Sequence, residues 1–177
     1  MKKELLKFYG GNAKASIDYA RIINEKHFDR IVSFLSCGNI ISGGDTDREK
    51  LYIEPVILDG VSWEDSVMTE EIFGPVLPVL EYENINEIIK IINSREKPLA
   101  LYLFSKDKEI REKIIKEVSF GGGCINDVIF HQSNYYLPFG GVGNSGIGAY
   151  HGRWGFEAFS HKKSILNKSL WPEIKLF

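Results

Sequence analysis

The sequence predicts an α/β fold: a parallel sheet in one domain, followed by a short C-terminal appendage. Strand-like and helix-like patterns alternate through the middle of the chain, an order that favours parallel strands joined by helices. The run Leu99–Phe104 (LALYLF) is continuously apolar and short, the pattern of a strand buried on both faces. At 177 residues the chain is long enough for one domain with a sizeable core and too short for two full ones.

Each element has its own signal. Phe28, Ile31, Val32 and Leu35 fall on one helix face, and Gly38 is placed to end that helix. KLYIEPVIL is rich in β-branched and aromatic residues but is interrupted by Pro55, so it reads as an edge strand or one that ends early. Pro75 and Pro78 limit GPVLPVLEY to a broken strand. Asn84 with Glu87 can form a capping box ahead of Ile85, Ile88, Ile89 and Ile92. Asp107 can cap a helix carrying Ile110, Ile114, Ile115 and Val118, after which GGGCIND reads as a strand. Beyond Asn126 comes a long glycine-dense loop, LPFGGVGNSGIGAYHG, and KKSILNK has the look of a last strand.

Composition narrows the function classes. With 44% hydrophobic and 26% charged residues the chain resembles an ordinary globular protein. A formal charge of -2 gives no electrostatic reason to expect nucleic acid or an anionic membrane as partner. No apolar run approaches the ~20 residues of a membrane span, and MKKELLKFYGG lacks the apolar core of a signal peptide. Cys37 and Cys124, far apart and outside any CxxC, suggest reduced thiols and a cytoplasmic location.

Several motifs can be tried for chemistry. Gly141-Val142-Gly143-Asn144-Ser145-Gly146 fits G-x-G-x-x-G, but turn residues precede it where a dinucleotide site needs a strand. The competing reading is a loop whose glycines let backbone pass close to a neighbour. His27, His131, His151 and His161 show no metal spacing, so no metal site is expected. Cys124 and His131 could be imagined as nucleophile and base, yet a thiol inside an apolar strand is usually buried and inert. Cys37 is predicted at a helix C-terminus, where the dipole disfavours an anion.

The blocks RIINEKHFDRI, VMTEEIFGPVLPVL, NSREKPLALYLFSKD, GGGCINDVIFH and LPFGGVGNSGIGAYHGRWGFEAFSHKKSIL carry a resemblance. In this order they resemble the aldehyde dehydrogenase superfamily, most closely its class 3 or fatty aldehyde branch. The match runs from about Phe8 to Leu166. It implies that residues 1–155 are a C-terminal portion of the catalytic domain and residues 156–177 a bridging, oligomerising strand and tail. It also implies that the Rossmann domain, the nucleophilic cysteine and the general-base glutamate precede Met1, so the isolated chain is expected to be inactive. In the intact enzymes an aldehyde is oxidised to the acid through a thiohemiacetal, with NAD or NADP as cofactor.

Residue by residue, the resemblance gives Glu71 the nicotinamide ribose hydroxyls and places Phe73 beside that ribose and ring. His27 and Arg30 resemble positions approaching the adenosine end of the cofactor, although a solvated helix face accounts for them equally well. Asn126, Phe139 and His151 would line the aldehyde pocket or support it, packing being the competing role for the last two. Glu70 is read as surface. In an extended TEEIFGPV, alternation would put Glu71 and Phe73 on one face and Glu70 and Ile72 on the other. Aldehyde is expected as substrate only with a complementing N-terminal half, NAD(P) binding by this chain alone is expected to be weak, and a homodimer or other self-association is expected. A non-catalytic remnant acting as a folded interaction module is the alternative.

Overall fold

Asn24 sets the first helix boundary that matters for the site: its side chain accepts a hydrogen bond from the His27 N–H, satisfying a donor that the first helical turn leaves open. The computed structural model in which this cap is seen describes residues 2–168, and the chain divides into two compact units, 1–81 and 82–177.

In the first unit α1 (Lys2–Tyr9) precedes α2 (Glu25–Ser33), and the chain then tightens into a single 3-10 turn at Phe34–Ser36. The tightening changes the buried face. Phe28 and Ile31 are buried as their spacing predicts, and Phe34 joins them while Val32 and Leu35 stay half-buried. Four strands follow: β1 (Asn39–Ser42), β2 (Thr46–Asp47), β3 (Tyr52–Ile53) and β4 (Val56–Asp59). Pro55 ends β3 early, because it offers no N–H to a ladder. Val56 and Leu58 of β4 point into the core formed with Phe28, Ile31 and Phe34, and Ile57 points the other way. A 3-10 turn (Ser66–Met68) then leads, through the TEEIFG loop, to β5 (Val76–Pro78). β4 is the middle strand, antiparallel to β1 and parallel to β5, with Val56 opposite Val76; β2 and β3 form a separate antiparallel pair.

In the second unit α3 (Ile85–Asn93) starts at Asn84, whose side chain accepts from the Asn86 N–H. β6 (Ala100–Leu103), α4 (Lys108–Glu117) and β7 (Gly122–Ile125) follow, with Asp107 capping α4 through the Glu109 and Ile110 N–H groups. β6 and β7 are parallel, with Ala100 opposite Gly122 and Leu103 opposite Ile125. Ile89, Ile114 and Val118 form the core, with Leu101 and Leu103 packed on it. The last helices are α5 (Phe130–Ser133) and α6 (Gly152–Ala158).

Three expectations are corrected. The parallel sheet is realised only as the β4–β5 and β6–β7 pairs, because β1 returns antiparallel onto β4 and β2–β3 closes as a hairpin. LALYLF is not buried on both faces: Leu101 and Leu103 meet the helices, whereas Tyr102 is on the other side and partly exposed. KKSILNK forms no strand over residues 162–168, and Ile165 and Leu166 are exposed, since a strand needs a ladder partner and none runs beside it among the described residues. The tail from 169 onward lies outside the described residues. No helix among the described residues is long and apolar enough to cross a membrane.

Candidate functional site

The TEEIFG loop of the first unit is held from below by one side chain. Arg30, in the last turn of α2, donates from Nη2 to the Ile72 carbonyl at 2.7 Å and from Nη1 to the Glu71 carbonyl at 3.4 Å. The same Nη1 stands 3.4 Å from Glu70 Oε2, and the guanidinium carbon lies 5.3 Å from the centre of the buried Phe34 ring. Glu70 is thus an ion-pair partner rather than plain surface. Glu71 differs: its carboxylate is exposed and has no partner among the described residues. Phe73 follows with φ +47°, so the loop bends and strict strand alternation does not describe it. Gly74 then packs on Ile31, leaving no room for a Cβ.

Phe73 is exposed and borders a cleft of about 370 Å³ that Tyr19, Arg21, Ile22, Gly74 and Pro75 also line. The Tyr19 hydroxyl donates to the Ile53 carbonyl at 2.7 Å, and burial, reinforced by Tyr52 and Tyr9, pushes its phenol well up. Tyr19 therefore stays neutral at physiological pH and shapes the cleft without moving protons. His27 lies on the exposed side of α2, and its backbone N–H supplies the cap bond to Asn24. His27 stays exposed on α2, while the Arg30 guanidinium turns beneath the loop.

The second unit gathers the other nominated residues around the glycine-dense loop. Asn126 ends β7 at φ +58°, and its side chain accepts from the Ser105 N–H at 2.8 Å and donates to the Ser105 carbonyl at 3.1 Å. That pair of bonds ties the ends of the two parallel strands together, so Asn126 acts here as a brace. Phe139 pairs with Tyr150 through two backbone hydrogen bonds, 3.0 and 2.9 Å, and His151 follows at φ +84°. The His151 ring packs tilted at 49° against Tyr150 with centres 4.5 Å apart, and its Nδ1 is buried with no hydrogen-bond partner among the described residues. A cleft of about 410 Å³ opens beside it, lined by Ile129, Gln132, Ser133, Tyr135 and His151.

Cys124 and His131, set aside as inert on sequence grounds, do meet, with Sγ 3.6 Å from Nδ1. His131 is buried between Tyr102 and Phe139, and Cys124 is only half-buried. Cys37 instead shares a 3.3 Å contact with the Ser66 hydroxyl. The G-x-G-x-x-G segment begins no helix: Gly143–Ser145 is one 3-10 turn, and a Cβ on Gly140 or Gly141 would strike the backbone of Gly148 or Ser145. Its glycines serve close backbone packing. Among the described residues no cluster of His, Cys, Asp and Glu is arranged to hold a metal.

Backbone strain gives an independent pointer. Among the described residues five other than glycine have positive φ: Leu51, Phe73, Asn126, Ile129 and His151. Three of them were nominated from sequence, and strain of this kind concentrates at functional positions. Ile129 and Tyr135, which line the second cleft, were missed. Nothing in their local sequence marks them, since both read as ordinary loop apolars.

Residues 1–165 match the aldehyde dehydrogenase family as a whole. The chain belongs to that family. Among its relatives are the 4,4'-diaponeurosporen-aldehyde dehydrogenase of Staphylococcus aureus, 50% identical over 96% of this chain and 37% of that protein, and the dimeric NADP-preferring aldehyde dehydrogenase of mouse, 51% identical over 98% of this chain and 38% of that protein. The substrate-bound structure of Staphylococcus aureus AldH superposes with a TM-score of 0.91 at 49% identity, covering 98% of this chain and 38% of that one. This aldehyde dehydrogenase chain spans a little over a third of the length of these relatives.

Proposed function

We infer that this chain supplies the cofactor-positioning and aldehyde-pocket portion of an NAD(P)-dependent aldehyde dehydrogenase of the class 3 type. Its motif order suggests the portion that follows the nucleophile, with residues 1–155 belonging to the catalytic domain and 156–177 to an oligomerising tail. The observation that carries the reading is the unequal fate of two adjacent carboxylates. Glu70 is spent on Arg30, while Glu71 stands unpaired among the described residues on a loop whose main chain is clamped. A free carboxylate in that setting can accept hydrogen bonds from both hydroxyls of a ribose, and the exposed Phe73 ring beside it offers an apolar face. The residues fit the nicotinamide cofactor, which takes up the hydride when bound; Glu71 would orient its ribose and Phe73 would flank it. His151, Phe139 and the cleft lined by Ile129 and Tyr135 suit the non-polar part of an aldehyde, and Asn126 would brace that wall. His27 is left as a solvated neighbour of the adenosine side.

The covalent chemistry asks for a nucleophile, and this reading gives that role to neither Cys37, which contacts the Ser66 hydroxyl, nor Cys124 of β7. The test is to express the chain alone and together with the remainder of the 50%-identical relative. The expected results are no turnover and NAD affinity of ~1 mM or weaker for the chain alone, and aldehyde-dependent NAD or NADP reduction for the pair. Turnover or micromolar NAD binding by the homogeneous chain would overturn the reading, and would suit a chain equivalent to the cofactor-binding front of the relatives. A folded pair without turnover would favour the non-catalytic interaction module.

A further inference from the structure

We propose that Arg30 is a positioning residue that selects and aims Glu71, not a contact to the cofactor; this rests on the reading of Glu71 given above. In an extended strand consecutive carbonyls point to opposite sides, yet the carbonyls of Glu71 and Ile72 both face the Arg30 guanidinium, at 3.4 and 2.7 Å. The loop is therefore bent around this side chain, and the positive φ of Phe73 comes immediately after the two clamped carbonyls. A planar guanidinium serves two neighbouring acceptors from two nitrogens at fixed angles, whereas a lysine ammonium offers rotatable donors on a single atom and no rigid fork.

The fork has a second consequence. Its Nη1 also neutralises Glu70, so of two neighbouring carboxylates only Glu71 is left to a ligand. The guanidinium lies over the Phe34 ring, its Nε is buried without a partner among the described residues, and the side chain as a whole is only 21% exposed. A group committed in this way to the underside of the loop has little left to offer a phosphate or an adenosine. Helix α2 thereby sets the height and direction of the Glu71 carboxylate through one side chain, with Gly74 seated on Ile31 as the second support.

The first test uses the chain alone and a glutamate-specific endoprotease, for which the bonds after Glu70 and Glu71 lie in the clamped loop. Arg30→Lys, which keeps the stem and the charge, is expected to raise cleavage there about tenfold, because cleavage follows local opening. Cleavage after the exposed Glu49, in the turn between β2 and β3, serves as the internal reference and is expected to stay unchanged. An unchanged rate in the loop, or a parallel rise at Glu49, would overturn the proposal. The second test uses the complemented enzyme. Arg30→Lys is expected to lower kcat about tenfold with the cofactor KM within about twofold, and Arg30→Lys/Glu71→Gln to be no slower than Glu71→Gln alone. Additive losses, or a raised KM with a changed NAD/NADP preference at constant kcat, would overturn it in favour of a direct ligand role. A complemented wild type without turnover would sink the functional reading instead, while the protease comparison still decides whether Arg30 holds the loop.

Discussion

Replacing Gly74 by Ala tests the support under the Glu71 loop. A methyl built on Gly74 would lie 2.6 Å from Ile31 Cδ1, 3.1 Å from its Cγ2 and 3.2 Å from its Cγ1. Carbon atoms prefer about 3.5–4.0 Å, so one group must retreat by about 1 Å. Ile31 cannot swing into solvent, since it is fully buried against Phe28, Phe34 and Leu58. Overpacking of this kind costs ~1–3 kcal/mol, of which ~0.4–1 kcal/mol is offset because Ala loses less chain entropy than Gly on folding. Ile31→Val removes the Cδ1 that makes the worst contact and by itself costs ~0.5–1.5 kcal/mol. The double variant should therefore be more stable than the sum of the singles by ~1 kcal/mol. Urea unfolding followed through Trp63, with the other two tryptophans changed to Phe, measures all four corners of the cycle for the first unit. Additivity within ~0.3 kcal/mol would refute the argument, since it would mean that Gly74 and Ile31 do not compete for the same space.

In the complemented enzyme, Glu71→Gln should lower kcat by roughly tenfold or more through misplacement of the nicotinamide. Glu70→Gln loses a half-exposed ion pair worth at most ~1 kcal/mol, and should cost less than fivefold; equal effects would mean that the acidic pair is only a solvated edge. Because burial raises the Tyr19 phenol above its ordinary value of 10.0, the unfolded chain ionises first, and the stability that Tyr19 contributes, complete below pH ~10, falls as pH rises beyond it. Tyr19→Phe should flatten that alkaline decline of the urea midpoint, at the cost of the Ile53 hydrogen bond; an unchanged slope would refute the assignment. The exposed Phe130, Tyr136, Phe156, Phe159, Ile165 and Leu166 should drive self-association. Pairing of residues 162–168 with a second copy would make that stretch a strand, and a sharp monomer mass by light scattering at tens of micromolar would count against it.

Much of the fold was legible because its signals are local. Asn24, Asn84 and Asp107 cap helices wherever the rest of the chain goes, since a side-chain oxygen and the first helical N–H groups are neighbours in sequence. Pro55 breaks an extended run for an equally local reason. The nomination of Phe73, Asn126 and His151 came from family blocks, and their positive φ values are a separate reason to single them out.

What the sequence by itself determined, then, is the presence and order of α2, the β3–β5 run, α3, β6, α4 and β7, with their caps and breaks, and membership of the aldehyde dehydrogenase family. Tertiary structure alone decided the roles of neighbouring charges. Nothing local distinguishes Glu70 from Glu71; the difference arises because Arg30, some forty positions earlier, reaches one carboxylate and two carbonyls and leaves the other carboxylate free. It likewise decided that Leu101 and Leu103 meet helices while Tyr102 turns toward His131, and that residues 162–168 remain without a ladder. Burial, pairing and strand formation each require a second surface, and which surface arrives is fixed only when distant parts of the chain are brought together.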